Sequence, residues 1–179
     1  MKRFFLVLIF LSGMFAFSPN TSAQSTEYSQ SRLERQVRRE ILRLPYYGVF
    51  DAIGYDLNGG TVTLTGAVVR PLTKQEAGEA VRDIDGVSNV VNNIEVLPLS
   101  PNDDRIRQRV FRTLSNQGGL YRYFLGANPS IRIVVKNGRV TLEGFVDSRG
   151  DSNRANILTR GIPGIFGVTN NLKVVGEPR

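Results

Sequence analysis

Arginines and aromatic side chains are the residues of this chain whose types and spacing could do chemistry, and their pattern suits binding rather than bond-making. The sequence holds no His and no Cys. Imidazole bases, thiol nucleophiles, disulfide exchange and Cys/His metal sites are therefore excluded. Of the carboxylates, Asp83 and Asp85 are close together but face Gly161 and Pro163 in a second copy of the same pattern, as expected for a solvated helix end. Asn58-Gly59-Gly60 is a turn rather than a phosphate loop, because neither a helix nor a P-loop lysine follows it. We expect no catalytic residue, no metal site and no cofactor.

The arginines fall into two groups. Arg32, Arg35, Arg38, Arg39 and Arg43 surround one apolar helical stripe, with Glu34 and Glu40 among them. Arg105, Arg107, Arg109 and Arg112 surround another, with Phe111 off the stripe and no acidic residue after Asp104. Next to this second group stand Leu120, Tyr121, Arg122, Tyr123 and Phe124. Arginine with exposed aromatics is the composition expected at a lipid headgroup interface. The candidate lipid-binding set is thus Arg105, Arg107, Arg109, Phe111, Arg112, Tyr121, Tyr123 and Phe124; the competing reading is that the aromatics roof a small core. The whole chain has 23 basic against 16 acidic residues, net +7, with Lys2 and Arg3 in its leader. Beyond those two, only Lys74, Lys136 and Lys173 are lysines, so most of the positive charge is guanidinium, which suits bidentate contacts to phosphate or carboxylate.

The elements that must position these groups come from an internal duplication. Thr61-Val-Thr-Leu-Thr-Gly-Ala-Val68 matches Arg139-Val-Thr-Leu-Glu-Gly-Phe-Val146, and 86–96 matches 164–174, both at an offset of 78. Fifteen of the 44 positions from 53 to 96 are identical to their partners. Each copy reads as helix, hairpin, helix, strand. Leu33, Val37, Ile41 and Leu44 recur at helical spacing, as do Ile106, Val110 and Leu114. Alternating strands run into Asn58-Gly59-Gly60 and Lys136-Asn137-Gly138, where Asn-Gly predicts a tight hairpin. The second helices carry Ala77, Val81, Ile84 and Ala155, Leu158, Ile162. Gly60, Gly66, Gly86, Gly138, Gly144 and Gly164 recur in pairs and are read as structural; Gly66 and Gly144 are expected to let Ala77 and Ala155 approach the sheet. Asn92 and Asn170 fall on the apolar face of the last strands and are expected to be a bulge or strand-end motif, with a ligand contact as the alternative. Between first helix and hairpin the second copy has five more residues, and both segments are aromatic-rich.

Lys2-Arg3, the apolar run Phe4 to Phe17 and Thr21-Ser22-Ala23 have the form of a secretory signal cut before Gln24. The run is shorter than the roughly 20 residues a membrane span needs. No cysteine follows it, so no lipid anchor is expected.

The αββαβ order, the Asn-Gly hairpin, the Val-Thr-Leu-x-Gly strand, the glycine before the last strand and the Val-x-Asn-Asn-Ile/Leu ending resemble BON domains. The resemblance covers both copies. It implies an α+β fold of two tandem αββαβ domains, each a three-stranded mixed sheet with two helices on one face. The expected organisation is a signal peptide over 1–23, a tail over 24–31, domain one over 32–97, a linker over 98–102, domain two over 103–175 and a tail over 176–179. The resemblance also implies a non-enzymatic periplasmic protein of the cell envelope, tied to envelope maintenance or osmotic stress. Its expected partner is an anionic phospholipid membrane surface; the alternative is a protein–protein adaptor working with other envelope proteins. Nucleic acid is not expected: Gly161-Ile-Pro-Gly164 joins a helix to a strand, whereas the RNA clamp of KH folds joins two helices.

Overall fold

The computed structural model describes residues 21–116 and 119–176, with side chains from residue 29 onward. The signal segment lies mostly outside the described residues. The elements run α1 (Thr21–Arg43), β1 (Ala52–Asn58), β2 (Thr61–Val68), α2 (Pro71–Arg82), β3 (Asn89–Asn92) and β4 (Glu95–Val96) in the first copy. The second has α3 (Pro101–Asn116), a 3₁₀ turn (Tyr121–Phe124), β5 (Ile131–Lys136), β6 (Arg139–Val146), α4 (Arg149–Arg160) and β7 (Gly167–Val174). In each copy an antiparallel hairpin is extended by a parallel last strand, and the middle strand is the hairpin's return strand. The fold is α+β in two tandem mixed sheets, as the duplication implies.

The apolar stripes pack as their spacing predicts. Leu33, Val37, Ile41 and Leu44 of the first helix region join Val62, Leu64, Val68, Ala77 and Val81 in one core. Ile106, Val110 and Leu114 join Ile131, Ile133, Val140, Leu142 and Ala155 in the other. The stretch 24–31, expected as a tail, continues helix α1. Helix α3 also starts inside the expected linker: Pro101 takes the first turn, where its missing N–H costs nothing, and the Ser100 hydroxyl accepts from the Asp103 N–H. The last strand of the first copy is split at residues 93 and 94, while β7 is continuous.

Asp103 does more than favour a helix start. Its side chain is buried, and its carboxylate accepts the Asn137 and Gly138 N–H groups at 2.9 and 2.8 Å, clamping the β5–β6 turn to α3. Asn137 (φ +52°) and Gly138 (φ +73°) are the two left-handed residues of that turn, the pattern an Asn-Gly hairpin requires. In the first copy the loop is instead Gly59-Gly60, and of these two only Gly59 has positive φ. Asp103→Ala leaves both turn donors without their acceptor and is expected to cost about 2 kcal/mol or more, since each unsatisfied buried donor costs about 1–3 kcal/mol. Urea unfolding of the variant checks this; an unchanged midpoint would show that the turn holds without the clamp.

The two copies are locked together by the segment before β1. Val49 and Phe50 pack against the core of the second domain. The Val49 carbonyl accepts the Ile133 N–H at 2.8 Å, at the open edge of β5. Arg132 donates to the Gly48 carbonyl at 2.6 Å, lies over the Tyr47 ring at 4.2 Å, and is 6% exposed. Burial pulls its pKa down, and Tyr47 and Asp51 partly offset that. Asp51 in turn holds the segment by accepting the Gly48 and Val69 N–H groups. Calorimetry of the intact protein should therefore give one transition, and Arg132→Ala should lower it or split it. Two resolved transitions in the unaltered protein would mean the domains fold independently.

Candidate functional site: the arginine flank of helix α3

Helix α3 presents two faces with different fates. Its apolar stripe is buried under the sheet, and the flank beside it carries Arg105, Arg109 and Arg112 at i, i+4 and i+7, all exposed. Arg105 donates to the Pro101 carbonyl and Arg109 to the Pro163 carbonyl, each at 3.3 Å. These contacts are to carbonyls, which leave the positive charge unneutralised. Between this flank and the end of α4 lies a shallow groove of about 530 Å³. Arg109 and Arg112 stand on one side of it; Ile157, Leu158, Ile162 and Pro163 line the other. Ile157 is 69% exposed although aliphatic. The groove thus sets guanidinium groups beside accessible hydrocarbon, an arrangement that fits an amphiphilic surface.

The structure separates the eight candidate residues. Arg105, Arg109 and Arg112 share the exposed flank, and Tyr121 on the 3₁₀ turn is 60% exposed. Arg107 is a correction: it is 3% exposed, pairs with Asp104 and donates to the Val135 carbonyl at 2.8 Å, so it fastens α3 to β5 rather than standing on the exposed flank. Tyr123 is a second correction, being buried in a polar network. Its hydroxyl donates to Asp151 and accepts from the Asp147 N–H and Arg122. Phe111 and Phe124 are half-buried, stacked edge-to-face at 5.5 Å, with Phe50 of the first domain against Phe111 at 6.3 Å. These two rings pack against the second domain's core, and Phe50 joins them at its junction with the first.

The network under the 3₁₀ turn explains what the extra residues of the second copy do. In the first copy the carboxylate of Asp51 receives the Val69 N–H; at the matching position of the second, the Tyr123 hydroxyl receives the Asp147 N–H. Asp151 then anchors the hydroxyl. Burial alone would raise the Asp151 carboxyl, but hydrogen bonds from the Ser148 and Tyr123 hydroxyls and the charge of Arg122 outweigh it and hold the group below the usual carboxylate range. Burial pushes the Tyr123 hydroxyl up. This is a brace for the turn that displays Tyr121 and the exposed Leu125.

Residues that sequence reasoning passed over are Ile157 and Leu125. The only signal for either was an aliphatic residue outside the apolar periodicity. The first-copy arginines are more engaged: Arg43 pairs with Glu40, and Arg38 lies over the Phe145 ring of the second domain at 6.0 Å. Among the described residues no group of His, Cys, Asp and Glu could hold a metal ion, and no helix is long and apolar enough to cross a membrane.

Comparison with known proteins gives one family. The model of the BON domain matches residues 29–98 and again 102–176. No curated protein matches the chain. Two solved structures of CdsD, a structural protein of the Type III secretion system of Chlamydia trachomatis, are similar at 14% identity. One, of its C-terminal domain, has 97% of its length matched by 80% of this chain with a TM-score of 0.33. The other has 92% matched by 80%, with a TM-score of 0.32.

Proposed function

The chain belongs to the BON domain family, in two tandem copies, and from that premise we propose that it is a non-enzymatic module of the periplasm that docks on anionic phospholipid surfaces through the α3 flank of its second domain. The observation that carries this reading is the stripe Arg105–Arg109–Arg112, which has no carboxylate partner among the described residues and borders exposed hydrocarbon at Ile157. Export through a cleaved signal is part of the same reading, since that surface must meet the envelope. Three exposed arginines near an anionic bilayer contribute about 1 kcal/mol each, screened by salt. The flank alone therefore gives reversible, salt-sensitive attachment rather than permanent anchoring.

Co-sedimentation tests it. The protein should pellet with phosphatidylglycerol-containing vesicles at low salt, less at high salt, and little with pure phosphatidylcholine vesicles. Absence from both pellets would remove the lipid reading and leave the adaptor role, in which the module holds other envelope proteins.

A further inference from the structure

The recurring asparagines Asn92 and Asn170 make the same pair of contacts, one to the helix behind and one to their own strand. Each is half-buried on the last strand of its domain. The Asn170 side-chain amide donates to the Ser152 carbonyl and hydroxyl of α4, at 3.2 and 2.9 Å, while its oxygen accepts the Leu172 N–H at 3.3 Å. Asn92 donates to the Lys74 carbonyl of α2 at 2.7 Å and accepts the Ile94 N–H at 3.2 Å. A side chain on Gly78 would come within 2.8 Å of the Asn92 amide, so the first copy keeps that space open.

The direction of the accepted N–H decides what this does. In a strand, successive N–H groups point to opposite sides. The Val175 N–H reaches inward to the Val146 carbonyl of β6, so by alternation the N–H of residue 173 also points inward and those of residues 172 and 174 point outward. The Asn93 N–H reaches inward to Leu64, so that of Ile94 points outward. Each asparagine therefore fills a donor on the free outer edge of its sheet, and does so from a side chain tied to the helix behind.

We propose that Asn170 and Asn92 are edge guards that close the outer strands to addition of a strand from a second copy of this chain. The need is greatest at β7, which is eight residues long, has β6 on one side only, carries Lys173 as its single charge, and is bounded by exposed Phe166 and Val175. An edge of that kind is a template for pairing with its own copy in a two-fold arrangement. Filling the Leu172 donor leaves no unbroken row of outward groups to pair with. In the first copy the strand is interrupted just past the guard, between Asn92 and Glu95, which shortens that edge further.

The test uses the full chain and two substitutions. Asn170→Thr retains strand propensity but cannot span from α4 to the Leu172 N–H, and should shift the protein toward dimer with rising concentration in sedimentation velocity. Asn170→Asp loses the donor to the Ser152 carbonyl but keeps an acceptor for the Leu172 N–H, can accept from the Ser152 hydroxyl, and adds a negative charge at the edge, so it should match the unaltered protein's mass. Independently of either variant's folding, amide exchange in the unaltered protein should show Leu172 protected by about tenfold or more relative to Val174. A folded Asn170→Thr protein with unchanged mass, or a Leu172 amide exchanging as fast as that of Val174, overturns the proposal.

Discussion

Gly144→Val is expected to destabilise the second domain by about 3 kcal/mol or more, from strained backbone and overpacking together, each about 1–3 kcal/mol. The reason differs from the one that glycine and alanine periodicity suggests. The nearest neighbours of the side chain Gly144 lacks are backbone atoms of Ser130 and Ile131, not Ala155. Gly144 sits at φ +110°, and a Cβ built on it would lie 2.0 Å from the carbonyl oxygen of Ser130, the residue just before β5. Gly66 repeats this at φ +104° and 2.1 Å from the Ala52 carbonyl. The glycine is therefore a kink that lets the return strand bend against the opening of the hairpin. A graded comparison separates the two contributions. Gly164 also has positive φ, +89°, but nothing stands within 4 Å of its missing Cβ. Gly164→Ala should then show only the backbone cost of about 1 kcal/mol. Urea unfolding that ranks Gly144→Val no worse than Gly164→Ala would refute the steric account.

Replacing Arg105, Arg109 and Arg112 together by Gln should lower affinity for phosphatidylglycerol-containing vesicles on the order of 100-fold at low salt, three charges at about 1 kcal/mol each. Its remaining binding should depend only weakly on salt, because the charges that salt screens are gone. The thermal midpoint should hardly change, since the three side chains are exposed and hold only carbonyl contacts. Arg107 must stay out of this set. Its removal would strand the Val135 carbonyl and loosen α3, so loss of binding there would report damage rather than charge.

Periodicity carried the fold a long way. Every apolar stripe residue named from spacing in α1 and α3 is buried, because burial of hydrocarbon at 3.6-residue intervals is what a single sequence displays most directly. The buried polar residues escaped it. Arg107 and Arg109 look alike in sequence, and what separates them is a strand carbonyl 28 residues away from Arg107. Arg132 alternates onto the polar side of β5 and would be exposed in an isolated domain; it is buried because Tyr47 and Gly48 of the other domain cover it. Tyr123 was grouped with Tyr121 by composition alone, and only the turn geometry sends one hydroxyl to Asp151 and leaves the other ring outside. The basic flank itself was legible, because a helix face free of acids needs no tertiary information to be seen. The hydrocarbon beside it, at Ile157, was not, since it arises from the meeting of α3 with α4.

The location of the binding face is tested most directly by comparing two triple variants on one phosphatidylglycerol-containing vesicle preparation at two salt concentrations. One carries Arg105→Gln, Arg109→Gln and Arg112→Gln. The other carries Arg32→Gln, Arg35→Gln and Arg39→Gln, exposed positions on α1 that lose the same charge but have Glu34 and Glu40 among them. The account predicts that the α3 triple loses nearly all its low-salt binding and most of its salt dependence, while the α1 triple keeps most of both. Equal losses from the two would contradict it, showing that net charge rather than the α3 flank holds the protein to the membrane.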